Sequence, residues 1–301
     1  MTIFAAWGQE AVQQAINALA LGSTYALLAL GLAMVFSVLG LVNFAHGEIV
    51  AVSAYAMYLL HDAGLPFAAQ VPAAIAAGAI VAVLMQRLVF RPLRGASFVT
   101  LLISSFALSV LIQNLLRAFI SPRQQGIPLP DFFNQSLHVG SFTIGWLEII
   151  TLVTCVVALI GLTLFLKRST QGLGMLAAAQ DSQATRLMGI SPNRVIAAAF
   201  AISGALAGLA AIFLVARRGT VDPGMGFAPL LSAFIAVVIG GLGSLSGAVV
   251  GGFVLAAIEV TLDATLPGSV QPFRQAFALG IVVLILYFRP EGLLTRVAEA
   301  K

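Results

Sequence analysis

Long apolar runs, cut by short polar breaks, dominate this chain. They fall at residues 11–42, 45–60, 66–90, 97–120, 145–166, 194–216, 228–262 and 273–288. A helix needs about 20 apolar residues to cross a bilayer. A strand of a membrane barrel would instead alternate polar and apolar positions over about ten residues. None of the runs alternates. The pattern therefore predicts an all-α, polytopic membrane helical bundle of about eight to ten embedded segments. Two runs look composite. The run 11–42 is too long for one untilted helix and holds Gly22, Gly31 and Gly40. The run 228–262 is interrupted by "GGLGSLSG", which includes Gly240, Gly241, Gly243 and Ser244. Each reads as a broken helix, a re-entrant pair or two short spans. Non-helical backbone at membrane depth survives only where protein or a cavity covers it, so such breaks point to a transport pathway. A tight turn outside the membrane explains them about as well.

Composition agrees: 60% of the residues are hydrophobic and 9% are charged, against about 25% charged in soluble domains. The lipid bilayer is the expected solvent, and the whole chain, 1–301, reads as one transmembrane domain. The start, "MTIFAAWGQEAVQQ", carries no Lys or Arg and no apolar stretch with a small-residue cleavage site, so it does not read as a signal peptide. The net charge of +4 gives no reason to expect nucleic acid. The basic residues sit in short loops and report topology. Arg87, Arg91 and Arg94, then Lys167, Arg168, Arg186 and Arg194, then Arg289, Arg296 and Lys301 share one side if 97–120 and 145–166 run out and back. Arg117, Arg123, Arg217, Arg218 and Arg274 fall opposite. The richer side reads as cytoplasmic, with the C-terminus there and loops 121–144 and 217–227 outside.

Catalytic signatures are missing. There is no phosphate-binding G-x-x-x-x-G-K-[ST], so "GGLGSLSG" is no nucleotide cradle. His46, His61 and His138 lie on separate elements, and Cys155 stands alone in an apolar run; neither makes a zinc pattern. The expectation is a protein that is not an enzyme and holds no metal or cofactor.

Polar groups inside apolar runs are the candidate chemistry, because intramembrane ionisable residues face the bundle interior or water. "LVNFAHGEIVAVSAYAMYLL" places Asn43, His46 and Glu48 within six residues. They read either as a turn that caps a helix opening at Glu48 or as part of a pathway or gate. Glu259, in "GFVLAAIEVTLDATLPG", reads as an interhelical hydrogen-bonding group or a pathway residue. Gly204-x-x-x-Gly208 and Gly247-x-x-x-Gly251 read as close helix contacts. Between two spanning runs lies "LKRSTQGLGMLAAAQDSQATRLMGISPNRV". Here Gly172 and Gly174 precede a helical run, 175–188, which Gly189 and Pro192 end. A short amphipathic helix is expected there, on the cytoplasmic side.

These segments resemble a known family. Ala177-Ala178-Ala179-Gln180-Asp181 followed by Gly189-Ile190-Ser191-Pro192 is similar to the coupling loop of ABC importer permeases. "GSTYALLALGLAMVFSVLGLVNFAHGE" (22–48), "RPLR" (91–94), "AFIAVVIGGLGSLSGAVVGG" (233–252) and "FRPEGLL" (288–294) together resemble the LivH-type permeases of branched-chain amino-acid ABC importers. Asn43-Phe44-Ala45-His46 stands where the companion LivM type shows Ser-Leu-Gly-His.

The resemblance implies a permease working by alternating access. Its partners would be a homologous LivM-type permease, two ABC ATPase subunits and an external or periplasmic solute-binding protein, in the bacterial cytoplasmic membrane. ATP and magnesium would bind to the partner subunits. Loop 167–193 would couple to the ATPase through Gly174, Ala177, Ala178, Asp181, Arg186, Gly189 and Pro192. The family often has a basic residue where Met175-Leu176 stand, so a charge contact to the ATPase is either absent or replaced by Arg186. It often has Thr-Ile-Gly where Ser104-Ser105 stand, which bears on substrate choice. Two other readings stand beside this one: the same fold carrying urea, amides or other small carboxylates, and a carrier coupled to ions through Glu48, His46 or Glu259.

Overall fold

The computed structural model describes residues 2–40, 43–139, 142–180 and 182–294. The chain opens with α1 (Thr2–Leu39), α2 (His46–Asp62), α3 (Phe67–Met85) and α4 (Phe98–Phe119). A π-helical turn, Gln86–Phe90, prolongs α3. β1 (Gln125–Gly126) and the hairpin of β2 (Ser136–Val139) and β3 (Phe142–Gly145) lead to α5 (Trp146–Arg168). Two short helices, α6 (Thr170–Gln180) and α7 (Ser182–Leu187), precede α8 (Pro192–Arg218). Then come β4 (Thr220–Val221), α9 (Phe227–Gly240), α10 (Leu245–Thr265) and α11 (Arg274–Phe288). Among the described residues, seven helical segments are long and apolar enough to cross a membrane. The 17-residue α2 and the 14-residue α9 are shorter. Seven spans and two shorter helices fall within the number of segments expected from the apolar runs.

Long-range contacts fix which loops share a face. β1 pairs with β4, so loops 121–144 and 217–227 lie together. Gln13 on α1 bonds both backbone groups of Thr143 on β3, at 3.0 and 3.2 Å, which puts the start of α1 on the same face. The Tyr58 hydroxyl donates to Gln125 at 3.3 Å, so α2 ends there too. On the opposite, basic face Arg94 bonds Asn193, joining the "RPLR" loop to the start of α8. The start of α1 thus settles the direction of the first 60 residues, which the basic-residue pattern leaves open.

The run 11–42 differs from its composite reading: it lies in the single continuous helix α1 as far as Leu39. Gly22 and Gly31 do not break it. A Cβ on Gly22 would stand 2.5 Å from Phe253, and one on Gly31 would stand 3.1 Å from the His46 ring. These glycines are therefore points of close approach. The run 228–262 does divide, into the antiparallel pair α9 and α10, where Gly240 abuts Gly247 and Gly251 abuts Ala236. In lipid, small residues let backbones approach where the hydrophobic effect adds little between helices. The same logic joins α3 to α8. Cβ atoms on Gly78 and Gly204 would each fall within 2.3 Å of the other's carbonyl oxygen, and one on Gly208 would fall 2.6 Å from that of Ala74.

Gly204→Val forces α3 and α8 apart, and overpacking of this kind costs about 1–3 kcal/mol or more. The exposed Gly161 on α5 has nothing within 4 Å of its would-be Cβ. In detergent or nanodiscs, Gly204→Val should lower Tm clearly, while Gly161→Val stays within about 0.5 kcal/mol of the parent. Equal Tm values for the two variants would contradict the contact.

Candidate functional site

The Asn43–Glu48 knot is the entrance of α2, and it lies inside the bundle. Asn43 is 0% exposed, and His46 and Glu48 are each 1% exposed. Asn43 is not the helix cap: α2 begins at His46, with Ala45 as N-cap and no side-chain cap. The Asn43 side-chain oxygen instead accepts the Ala45 N–H at 3.0 Å, and its carbonyl accepts the His46 N–H at 3.1 Å. This is an Asx-type turn, by which a short side chain replaces missing helix partners. Glu48 falls in the first turn, where the helix macrodipole favours a negative charge.

Four other helices surround this start. From α4, Ser109 Oγ and Gln113 Nε2 both donate to Glu48 Oε1, at 2.9 and 2.8 Å. Ser105 Oγ accepts the Phe44 N–H at 3.3 Å. Phe44 stacks on Phe106 of α4 and tilts against Phe234 of α9. His46 packs on Gly31 of α1 and comes within 3.5 Å of Ser203 on α8 through Nδ1. Ser203 in turn donates to the Gly31 carbonyl at 2.6 Å. Ser203 stands near the middle of the 27-residue α8, so the cluster sits well inside the bundle.

Beside it, a second helix also starts inside the protein. From β4 the chain runs down along α2 to Gly226, with Val221 and Met225 buried. A Cβ on Gly226 would stand 1.9 Å from the Gly47 carbonyl oxygen, and one on Gly47 would stand 2.6 Å from that of Gly226. The starts of α2 and α9 thus touch, backbone to backbone. Several buried atoms on the α2 line have no partner among the described residues: Asn43 Nδ2, His46 Nε2, Glu48 Oε2, Ser53 Oγ and Tyr55 OH. Each such atom costs about 1–3 kcal/mol. Atoms of this kind mark a place where something other than stability sets the sequence. His46 and His61, expected on separate elements, stand at opposite ends of α2, and no group of three or more metal-ligating side chains occurs among the described residues.

Sequence reasoning missed Ser109, Gln113 and Ser203. The first two had a signal: Ser105, Ser109 and Gln113 recur every four residues, a polar stripe on one face of an apolar helix. Ser203 had none, because its partners are remote in sequence. Of the Ser104-Ser105 pair, expected to bear on substrate choice, Ser105 holds the α2 turn.

The other candidates lie elsewhere. Glu259 on α10 is 8% exposed and accepts the Tyr25 hydroxyl of α1 at 2.8 Å. The Gly240–Ser244 break is the α9–α10 turn. Gly241 has φ +103°, a region that favours glycine. Ser244 caps α10 by accepting the Gly247 N–H at 3.0 Å. Leu293 and Leu294 N–H groups bond the last α9 carbonyls, Ile239 and Gly240, at 2.8 and 3.1 Å. The knot, the break and Glu259 therefore form three separate places.

On the basic face, the segment expected as one helix over 175–188 is helical on both sides of residue 181, as α6 and α7. α6 starts at Thr170, capped by Ser169 Oγ, which accepts the Gly172 N–H at 2.8 Å. Gly172 and Gly174 lie inside α6 and do not precede it, because Gly172 packs against the α5 backbone at Phe165 and Leu166, where a Cβ would not fit. Asp181 lies outside the described residues. Gly189, with φ +81°, follows the end of α7, and Pro192 opens α8. Ala178 is buried, while Ala177 and Arg186 are exposed. Met175 is fully buried, whereas Leu173, Leu176, Leu187 and Met188 are exposed. A groove of about 480 Å³ runs between Leu173, Ala177, Thr185, Met188 and Ile190. Burial lowers the Arg94 pKa, and the neighbouring charges of Arg91 and Arg186 lower it further. The "RPLR" loop thus brings its cations alongside α7.

Buried irregular backbone, two helices that start inside and seven spans define a multi-pass integral membrane protein of the transport type. The family described as "Branched-chain amino acid transport system / permease component" matches residues 14–286, so the chain belongs to it. It is 36% identical over 297 residues to the high-affinity branched-chain amino acid transport system permease protein BraD of Pseudomonas aeruginosa, covering 95% of this chain and 96% of that one. LivH of Escherichia coli K12 is 32% identical over 299 residues, covering 95% and 96%. LivM of the same organism is 30% identical over 318 residues, covering 98% of this chain and 73% of LivM.

The double variant Ser109→Ala/Gln113→Leu leaves the Glu48 carboxylate buried without a donor. It should destabilise the protein by about 3 kcal/mol or more. Adding Glu48→Leu should recover much of that loss, because an apolar trio has no unpaired charge. Strictly additive Tm changes across this cycle would show that the three side chains do not act together.

Proposed function

We propose that the chain is the membrane-spanning permease subunit of an ABC importer carrying branched-chain or related amino acids by alternating access. The exposed apolar side chains of α6 and α7 carry this reading. Leu173, Leu176, Leu187 and Met188 form a knob on a face otherwise rich in Arg. Such an unpartnered amphipathic element fits a groove in a partner protein. The partner is an ABC ATPase, present as a pair, and the residues that engage it come from loop 167–193, with Gly174, Ala177, Ala178, Asp181, Arg186, Gly189 and Pro192 shaping it. A homologous LivM-type permease completes the pathway, and an external solute-binding protein delivers the cargo. ATP and magnesium belong to the ATPases, and this chain is not itself an enzyme. The excess of Lys and Arg supports a cytoplasmic basic face and C-terminus, in a bacterial inner membrane.

Movement passes from α6 and α7 into the bundle through α5 and α8, which they join. α8 carries Ser203 against the start of α2. The knot of Asn43, His46 and Glu48 is then the pivot of the element that changes position. Its unpartnered atoms supply the partners it takes in the other state. The α9–α10 break at Gly240–Ser244 is a second point of give.

In proteoliposomes holding the whole assembly, Gly189→Pro should leave insertion intact and ATP hydrolysis measurable while reducing uptake about tenfold or more, because proline cannot adopt φ +81°. Gly241→Leu should impair uptake in the same way. The purified chain alone should hydrolyse no ATP. Wild-type uptake by the Gly189 variant would remove the coupling assignment, and robust hydrolysis by the lone chain would rule out the subunit division.

A further inference from the structure

A pocket of about 300 Å³ opens between α9, α10 and α11, away from the knot. Its walls include Phe227, Leu231, Ile235, Leu255 and Leu279, and its one acid is Glu259. The volume is at the small end for ligand sites, and apolar walls with a few convergent polar groups are what such sites show. Beside the neutral Ser232 and Gln275, two features of its lining carry charge or partial charge.

The first is Glu259. It is more than nine-tenths buried, and Tyr25 occupies only its Oε2. Oε1 has no hydrogen-bond donor among the described residues, and Glu259 lines the pocket. The second is the start of α9. The antiparallel contacts of Gly240 with Gly247 and of Ala236 with Gly251 bring the first turn of α9 alongside Glu259. In that turn the Phe227 N–H bonds Gly224 at 3.2 Å and the Leu230 N–H bonds Gly226 at 3.0 Å. Pro229 has no N–H. The Ala228 N–H has no acceptor among the described residues, and Ala228 lines the pocket. A helix start with a free N–H favours an anion.

We propose that this pocket is a transit site for a zwitterionic α-amino acid with an apolar side chain. The ammonium bonds Glu259 Oε1, the carboxylate meets the Ala228 N–H at the positive end of α9, and the side chain lies against Leu231, Ile235 and Leu255. A metal cation would be repelled by the helix start, and an uncharged amide would bring no anion to it. A fatty acyl chain would leave both polar features unpaired. Tyr25 positions the carboxylate by occupying its other oxygen. The site rests on the reading of the chain as an amino-acid permease.

The test uses the whole transporter in nanodiscs, without its binding protein, and radiolabelled L-leucine. Saturable binding should be seen. It should weaken at least about tenfold in Glu259→Gln and in Leu231→Trp, one removing the charge and the other filling the pocket. Ala228→Pro, tolerated in a first turn, removes the N–H and should weaken binding several-fold. 4-Methylpentanoate, which lacks the ammonium, and 3-methylbutylamine, which lacks the carboxylate, should each compete at least about tenfold less well than L-leucine. Wild-type affinity in both Glu259→Gln and Leu231→Trp, with Tm unchanged, would overturn the site, as would absence of saturable binding to the wild type. Uptake by the complete assembly is read in parallel. If L-leucine is imported while these variants bind normally, the site falls and the function stands. If no branched-chain amino acid is imported, the cargo reading falls and takes the site with it.

Discussion

A helix that begins inside a membrane protein must have its first backbone groups satisfied by protein, because lipid offers no hydrogen bonds. That constraint organises this bundle. Two helices, α2 and α9, begin within it, and their starts touch at Gly47 and Gly226. The Asn43 side chain supplies one partner for the α2 start and Ser105 another. Glu48 gives the first turn a negative charge and is held by Ser109 and Gln113. Everything placed around the knot follows from sheltering it. α1 passes with Gly31 against the His46 ring, α8 contributes Ser203, and α4 turns its polar stripe inward.

The same economy explains the glycines. Where helices carry no polar link, they approach through missing side chains, as at Gly78 and Gly204 or at Gly240 and Gly247. The bundle therefore combines dry, tight contacts with one wet-natured knot. Tight contacts hold a single geometry, because one added methyl collides with backbone. The knot carries spare hydrogen-bonding capacity. A molecule that alternates between two arrangements needs both kinds of contact.

Much of this was legible in the sequence. Span number, helical class and the grouping of basic loops came from apolar length and from charge, which are local properties. Gly204 and Gly208 were readable as packing residues because their spacing alone puts them on one face. What escaped depended on partners distant in the chain. No periodicity announces that Ser203 meets His46, that Tyr25 meets Glu259, or that 220–226 descends beside α2. The glycines of α1 suggested a break because glycine permits one; packing uses the same residue for the opposite end. Gly172 and Gly174 misled in the same way, since their place against α5 depends on tertiary contact. The separation of the knot, the α9–α10 break and Glu259 could not be seen either, because three polar features in apolar runs look alike until depth is known.

The latch formed by Leu293 and Leu294 on the last carbonyls of α9 has a consequence for how the protein is made. α9 is synthesised before α10 and α11, and the donors that finish its end come only after both. Until they arrive, two carbonyls in an apolar setting stay open, and the Gly241 turn lacks its neighbour Gly292. Biogenesis thus has a built-in last step. A chain ending short of residue 293 lacks both donors and leaves the last two carbonyls of α9 without these partners.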